Sequence, residues 1–194
     1  LYSRRTASMP FFFFLASLLS TMLKVYILNY GYDIKDTAKL TETLNEDVIR
    51  VFPRGKFISL FYLMIDFHNN RMKFCKAAQE SAFLLRGETG EIEELSTEGQ
   101  VLGLFSKIDF PDIVNFEEKS TDFNKGDKLL LYTDGIVEAR NADGEFFGIE
   151  RIKEILLESK NSDDILDIIL KELYKFTESE KLEDDLTFLL IERD

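Results

Sequence analysis

Residues 125–140 read KGDKLLLYTDGIVEAR. Lys125-Gly126-Asp127 is a turn signal, residues 129–132 are an apolar run, and Thr133-Asp134-Gly135 is a second turn signal. A short apolar run closed by Gly and Asp at both ends predicts a buried strand that stops at a tight turn. The strand also delivers one carboxylate, Asp134, at its tip. Gly135 lets the backbone there bend sharply or lets a ligand come close. Two readings stand side by side. Asp-Gly is a common ordinary turn. An acidic side chain on a rigid strand end is also a good holder of a hard metal ion.

The chain has 194 residues, enough for one domain with a sizeable core. Its net charge of −12 argues against non-specific nucleic-acid binding, which needs a basic footprint. A divalent metal or a basic partner remains compatible with that charge. Cys75 is the only cysteine, so no internal disulfide exists, and a reducing, cytoplasmic setting is expected. With one histidine besides, a thiolate zinc site is not expected. That histidine, His68, lies in Asp66-Phe67-His68-Asn69-Asn70, which reads as a hairpin tip, so it is taken as a solvated turn residue.

Arg4-Arg5 precede MPFFFFLASLLSTMLKVYIL, residues 9–28. A basic flank before an apolar run resembles a membrane anchor. Ser17, Ser20, Thr21 and Lys24 interrupt the run, and a span wants about 20 apolar residues. A buried core helix, capped by Ser8 with Pro10 in its first turn, is the preferred reading. No membrane insertion is expected. Four consecutive phenylalanines exceed one helix face, so cover on more than one side is predicted. Asp36 caps a second helix with Leu40, Leu44 and Val48 on one stripe. Residues 57–67 predict a strand buried on both faces, and residues 71–78 its hairpin return. Residues 82–85 and 92–95 flank a second hairpin turn, and residues 99–103 form a loop that passes near the core. Residues 114–123 predict another strand. Ile149, Ile152, Ile155 and Leu156 mark one helix; Ile165, Ile168, Ile169, Leu173 and Phe176 mark another after a break at residues 161–163. Residues 180–185 are an acidic loop and residues 186–191 a last strand. The order is α+β, with hairpins pointing to mainly antiparallel sheets.

Glu183-Asp184-Asp185-Leu186-Thr187 stands just before that last strand. By itself it reads as a solvated acidic loop. If the strand ending at Asp134 and the strand after Asp184 are antiparallel neighbours, both carboxylates reach one sheet edge. Carboxylates grouped in that way suit Mg²⁺ or Mn²⁺.

The run from Gly126 to Asn141, followed by Phe147-Gly148 and Asp184-Asp185-Leu186-Thr187, resembles the SpoIIE/RsbU branch of the PP2C-type (PPM) metal-dependent protein serine/threonine phosphatases. Ala7-Ser8-Met9-Pro10, Leu44-Asn45 and the Gly99–Gly103 loop resemble further segments of that family. The resemblance covers nearly all of residues 3–191. It implies a single PP2C-like domain over residues 1–194, an α-β-β-α sandwich of two mainly antiparallel sheets flanked by helices, with N-terminal strands lacking. It implies a Mn²⁺ or Mg²⁺ two-metal site with Asp134 and Asp184 as ligands and Gly135, Asp185 and Thr187 in support. The implied substrate is a phosphorylated STAS-type (anti-anti-sigma) regulator in bacterial signalling, with an upstream sensor domain and a homodimer among the arrangements it allows. The sequence departs from the family at two motifs. Leu1-Tyr2-Ser3-Arg4-Arg5-Thr6 stand where Asp-Val-Ser-Gly-His-Gly is usual, and Lys76-Ala77-Ala78-Gln79-Glu80 where Asn-Ala-Gly-His-Pro is usual. The alternative expectation is therefore a degenerate pseudophosphatase that serves as a protein-binding module.

Overall fold

The computed structural model describes residues 9–53, 55–179 and 184–194. Helices α1 (Met9–Tyr30) and α2 (Thr37–Val51) come first, then strands β1 (Leu60–Asp66), β2 (Arg71–Ala77), β3 (Ala82–Leu85), β4 (Ile92–Leu95), β5 (Lys119–Asp122) and β6 (Lys128–Tyr132). Helices α3 (Asp134–Val137), α4 (Gly148–Glu158) and α5 (Ile165–Thr177) follow, and β7 (Phe188–Glu192) closes the chain. The strands form two antiparallel sheets, β1-β2-β5 and β4-β3-β6-β7.

The packing is layered, helix on sheet on sheet on helix. Alternate side chains of a strand face opposite ways. In β6, Leu129 and Leu131 therefore join Met72, Phe74 and Leu84 between the sheets, while Leu130 and Tyr132 face Ile152, Ile169 and Leu173 of α4 and α5. On the other side, α2 lays Leu40 and Leu44 over Cys75 and Ala77 of the first sheet. Asp36 caps α2, its carboxylate accepting the Lys39 N–H at 2.8 Å. The α-β-β-α sandwich implied by the resemblance is the fold observed.

Several expectations need correction. In its described part α1 is not a buried core helix. One stripe, Leu23, Tyr26, Ile27 and Tyr30, packs on the α2 side, while Leu18, Val25 and Leu28 are exposed, so cover comes from one side alone. The side chains of the four phenylalanines, Ser8 as a cap, the Arg4-Arg5 flank and Glu183 lie outside the described residues. Among the described residues no helix is long and apolar enough to cross a membrane. Strand β1 starts at Leu60, and its residues are half-buried rather than fully covered. Its two faces do pack on cores, Phe61 between the sheets and Tyr62 under α2. Exposure enters through its edge, since β1 is the end strand of its sheet. Only residues 119–122 of the predicted 114–123 strand form β5; Phe116 makes one isolated bridge to Gly99. The tight turn after β6 is instead the short helix α3.

Residues 99–103 do run against the core. Leu102 is buried and bridges Ile58, and a Cβ on Gly99 would lie 2.1 Å from the Lys76 carbonyl oxygen. His68 is exposed at the β1–β2 tip, as read from the sequence.

Candidate functional site

The C-terminal end of β6 and the N-terminal end of β7 lie side by side. Their ladder pairs Leu130 with Leu190 and Tyr132 with Phe188. Beyond it the contact continues: the Thr133 N–H donates to the Thr187 carbonyl at 3.0 Å, and the Thr187 N–H donates to Thr133 Oγ1 at 3.1 Å. One residue further, the two chains touch at Gly135. An ideal Cβ there would sit 2.5 Å from the Asp185 carbonyl oxygen. Gly135 has ordinary helical backbone, so the need for glycine is close approach rather than positive φ. What approaches it is the chain's own Asp184-Asp185 segment.

The register thus brings Asp134 and Asp184-Asp185 to one sheet edge. All three carboxylate residues are exposed to solvent. Asp134 leads the first turn of α3 and accepts the Gly135 N–H at 3.0 Å; Asp184 accepts the Asp185 N–H at 2.8 Å. These local bonds fix each carboxylate relative to its own backbone and leave oxygen lone pairs free. Thr187 acts through its backbone, and Gly135 through its missing side chain.

A cavity of about 270 Å³ adjoins this edge. Phe61, Leu131 and Leu189 form its apolar part, and Thr133, Thr187, Gln79 and Glu80 its polar part. Gln79 Nε2 donates to the Tyr132 carbonyl at 3.3 Å, tying the end of β2 to the end of β6. Burial pushes the Tyr132 phenol above its usual range, with Glu80 and Glu94 adding to the shift, so it stays neutral. Its ring stacks on Phe83 at 5.5 Å, a core role. Thr133 is the residue the sequence reading passed over. Its hydroxyl holds the segment that carries Asp184, and the matched Thr-Asp and Asp-Leu-Thr at adjoining strand ends were the available signal.

Cys75 is fully buried, and burial raises its thiol, which removes it as a nucleophile. Among the described residues no group of three or more His, Cys, Asp or Glu side chains is placed to hold a metal ion. The described donors alone therefore do not make a two-metal centre. A Mg²⁺ ion held by one or two carboxylates keeps most of its water.

Comparison with known proteins follows the same lines. Residues 14–194 match the family described as Stage II sporulation protein E (SpoIIE). Protein IcfG of Synechocystis sp. is 31% identical over 138 residues, 71% of this chain and 21% of IcfG. Phosphoserine phosphatase RsbU of Bacillus subtilis is 22% identical over 158 residues, 80% of this chain and 45% of RsbU. The chain thus spans less than half the length of either relative. The SiaA-PP2C domain of Pseudomonas aeruginosa shares its fold, with a TM-score of 0.75 at 18% identity, over 93% of this chain and 70% of that one.

Proposed function

The chain belongs to the SpoIIE/RsbU-type family of PP2C-like phosphatase domains of bacterial signalling, and on that footing we propose that it acts on a phosphorylated serine or threonine of a regulator protein. The observation that supports this best is the β6–β7 register, which sets Asp134 beside Asp184-Asp185 at a solvent-exposed edge. In this reading Asp134 and Asp184 are the chain's contributions to a Mn²⁺ or Mg²⁺ centre, and Asp185, Gly135 and Thr187 keep them in place. The regulator is of the STAS type, the setting is cytoplasmic, and an upstream sensor domain and a homodimer belong to the same proposal.

A second reading is favoured by a separate observation. Among the described residues no three His, Cys, Asp or Glu side chains are grouped so as to hold a metal ion, and Lys76-Ala77-Ala78-Gln79-Glu80 stands where the resemblance puts a family motif. On this reading the domain keeps the fold and binds a regulator without turnover.

One experiment separates the two. Manganese-dependent hydrolysis of an aryl phosphate is measured with the protein that carries this chain, as wild type and as Asp134→Asn. Turnover that requires manganese and is lost in the variant supports the phosphatase. Absence of turnover, together with a melting temperature that millimolar Mn²⁺ leaves unmoved, supports the binding module, because a ligand of the native state stabilises it.

A further inference from the structure

We infer that the loop between Gly103 and Val114 is a preformed docking surface for a folded phosphoprotein that presents an apolar patch beside its phosphorylated residue. The inference rests on the reading of the Asp134–Asp184 edge as the site to which such a protein comes.

The loop reads GLFSKIDFPDIV, and Leu104, Phe105, Ile108, Phe110 and Ile113 are all exposed, Ile108 at 83%. Single exposed apolar residues are normal on a protein surface, but a contiguous group of this kind marks an interaction site. Phe57, 61% exposed, adjoins it, since its Cα lies 3.6 Å from where a Cβ on Gly103 would stand.

The loop is built to hold its shape. Two successive turns fold it, with the Phe110 N–H donating to the Ser106 carbonyl at 2.9 Å and the Val114 N–H to the Phe110 carbonyl at 3.0 Å. Phe105 and Phe110 meet edge to face at 5.5 Å. Helix α2 clamps its base: buried Asn45 donates to the Phe105 carbonyl at 2.9 Å and accepts the Gly103 N–H at 2.9 Å. Glu46 accepts from Ser106 Oγ at 2.7 Å and from the Lys107 N–H at 2.8 Å. A surface fixed in this way loses little conformational freedom on binding.

Its position supplies the occupant. Leu102, at the loop's base, bridges Ile58, just before β1; β1 begins opposite Ala77, at the end of β2, and the next residues reach Tyr132 through Gln79. The start of β1, the end of β2, the end of β6 and the start of β7 therefore share one end of the sandwich. The loop stands at that same end, on the first sheet's side of Asp134. The two sheets of a sandwich lie about 10 Å apart. In the inferred complex a partner with a footprint of about 800 Å² spans from the carboxylate edge across the end of the sandwich to the loop. Lys107 is already paired with Glu42 at 2.6 Å, and Asp109 and Asp112 are exposed, so the loop offers apolar contact with an acidic fringe and no free cation.

The probe is the phosphorylated STAS-domain protein of the same bacterium, with binding measured by calorimetry. Ile108→Glu and Ile113→Glu are each expected to weaken binding about tenfold, the scale set by losing one buried aliphatic anchor. Both side chains are exposed, so the melting temperatures are expected to stay at the wild-type value. Aryl phosphate hydrolysis in the same variants reads the catalytic edge separately and is expected to be unchanged. Binding that is absent in the wild type, or equal in wild type and both variants, overturns the inference. A loss of aryl phosphate turnover that matches the loss of binding overturns it too, by showing that the loop acts on the site itself. A dimer that dissociates in Ile108→Glu while partner binding is kept assigns the surface to a second copy, and that also overturns it.

Discussion

Gly135→Ala tests whether close contact between α3 and the Asp184-Asp185 segment organises the site. The new Cβ would lie 2.5 Å from the Asp185 carbonyl oxygen. A comfortable C···O contact is about 3.3 Å, so one backbone must retreat by about 0.8 Å. The segment is not free to move, because Thr133 and Thr187 bond each other at 3.0 and 3.1 Å. Overpacking of this kind costs about 1–3 kcal/mol, and loss of one of those bonds about 1 kcal/mol. Alanine's better helix propensity offsets at most about 1 kcal/mol, and less in so short a helix as α3. The net expectation is a destabilisation of about 1–2 kcal/mol, which lowers the melting temperature by about 2–8 °C in a domain of this size. Urea unfolding and a thermal melt measure it directly. If manganese-dependent turnover is present, it should fall further than the lost stability explains, because Asp134 and Asp184 have been pushed apart. A Gly135→Ala protein as stable as the wild type, with full turnover, would refute the reasoning.

Two other predictions concern the frame. Asp127 is buried and accepts the N–H groups of Gly87 and Asn124 and the Arg86 guanidinium, each at 2.9 Å. Asp127→Ala leaves the two backbone N–H groups unpaired and takes one partner from Arg86, which keeps Glu93, Thr121 and the Asp122 carbonyl, and should cost about 3 kcal/mol in urea unfolding. For Glu118, burial alone would raise the carboxyl, but the Lys73 ammonium and the Thr37 N–H and hydroxyl outweigh it and hold it below the usual glutamate range. Its folded value being depressed, its stabilisation is present above the ordinary glutamate pKa and is lost as pH falls through the lowered folded value. Glu118→Gln should therefore be less stable than wild type near neutral pH, by on the order of 1 kcal/mol, with the gap closing in acid unfolding curves below about pH 4.

Much of this protein was legible in its residues. Periodicity placed α2, with Leu40, Leu44 and Val48 all buried, because a stripe every four residues has only one way to meet a core. Gly and Asp bounds placed β6, and the two hairpins followed from their turns. The motif run from Gly126 to Asn141 carried the family. Local pattern was silent on cover. Nothing in FISLFYLMIDF says that β1 would be an end strand and half-exposed, because edge position is a property of the whole sheet. Nothing in the apolar run of α1 says that Leu18, Val25 and Leu28 would face outward. The Gly103–Val114 loop gave no periodic signal, and its exposed apolar group emerged only from where α2 holds it.

The sequence by itself determined the α+β order and the two acidic segments around Asp134 and Asp184, each written in a short contiguous run, and the series of such runs carried the family resemblance that implied the layered α-β-β-α class. Tertiary structure alone decided that those segments meet. Asp134 and Asp184 stand 50 positions apart in the chain, with helices α3, α4 and α5 between β6 and β7. Only the antiparallel pairing of β6 with β7, tightened where Gly135 has no side chain to keep Asp185 away, brings the two carboxylates to one edge.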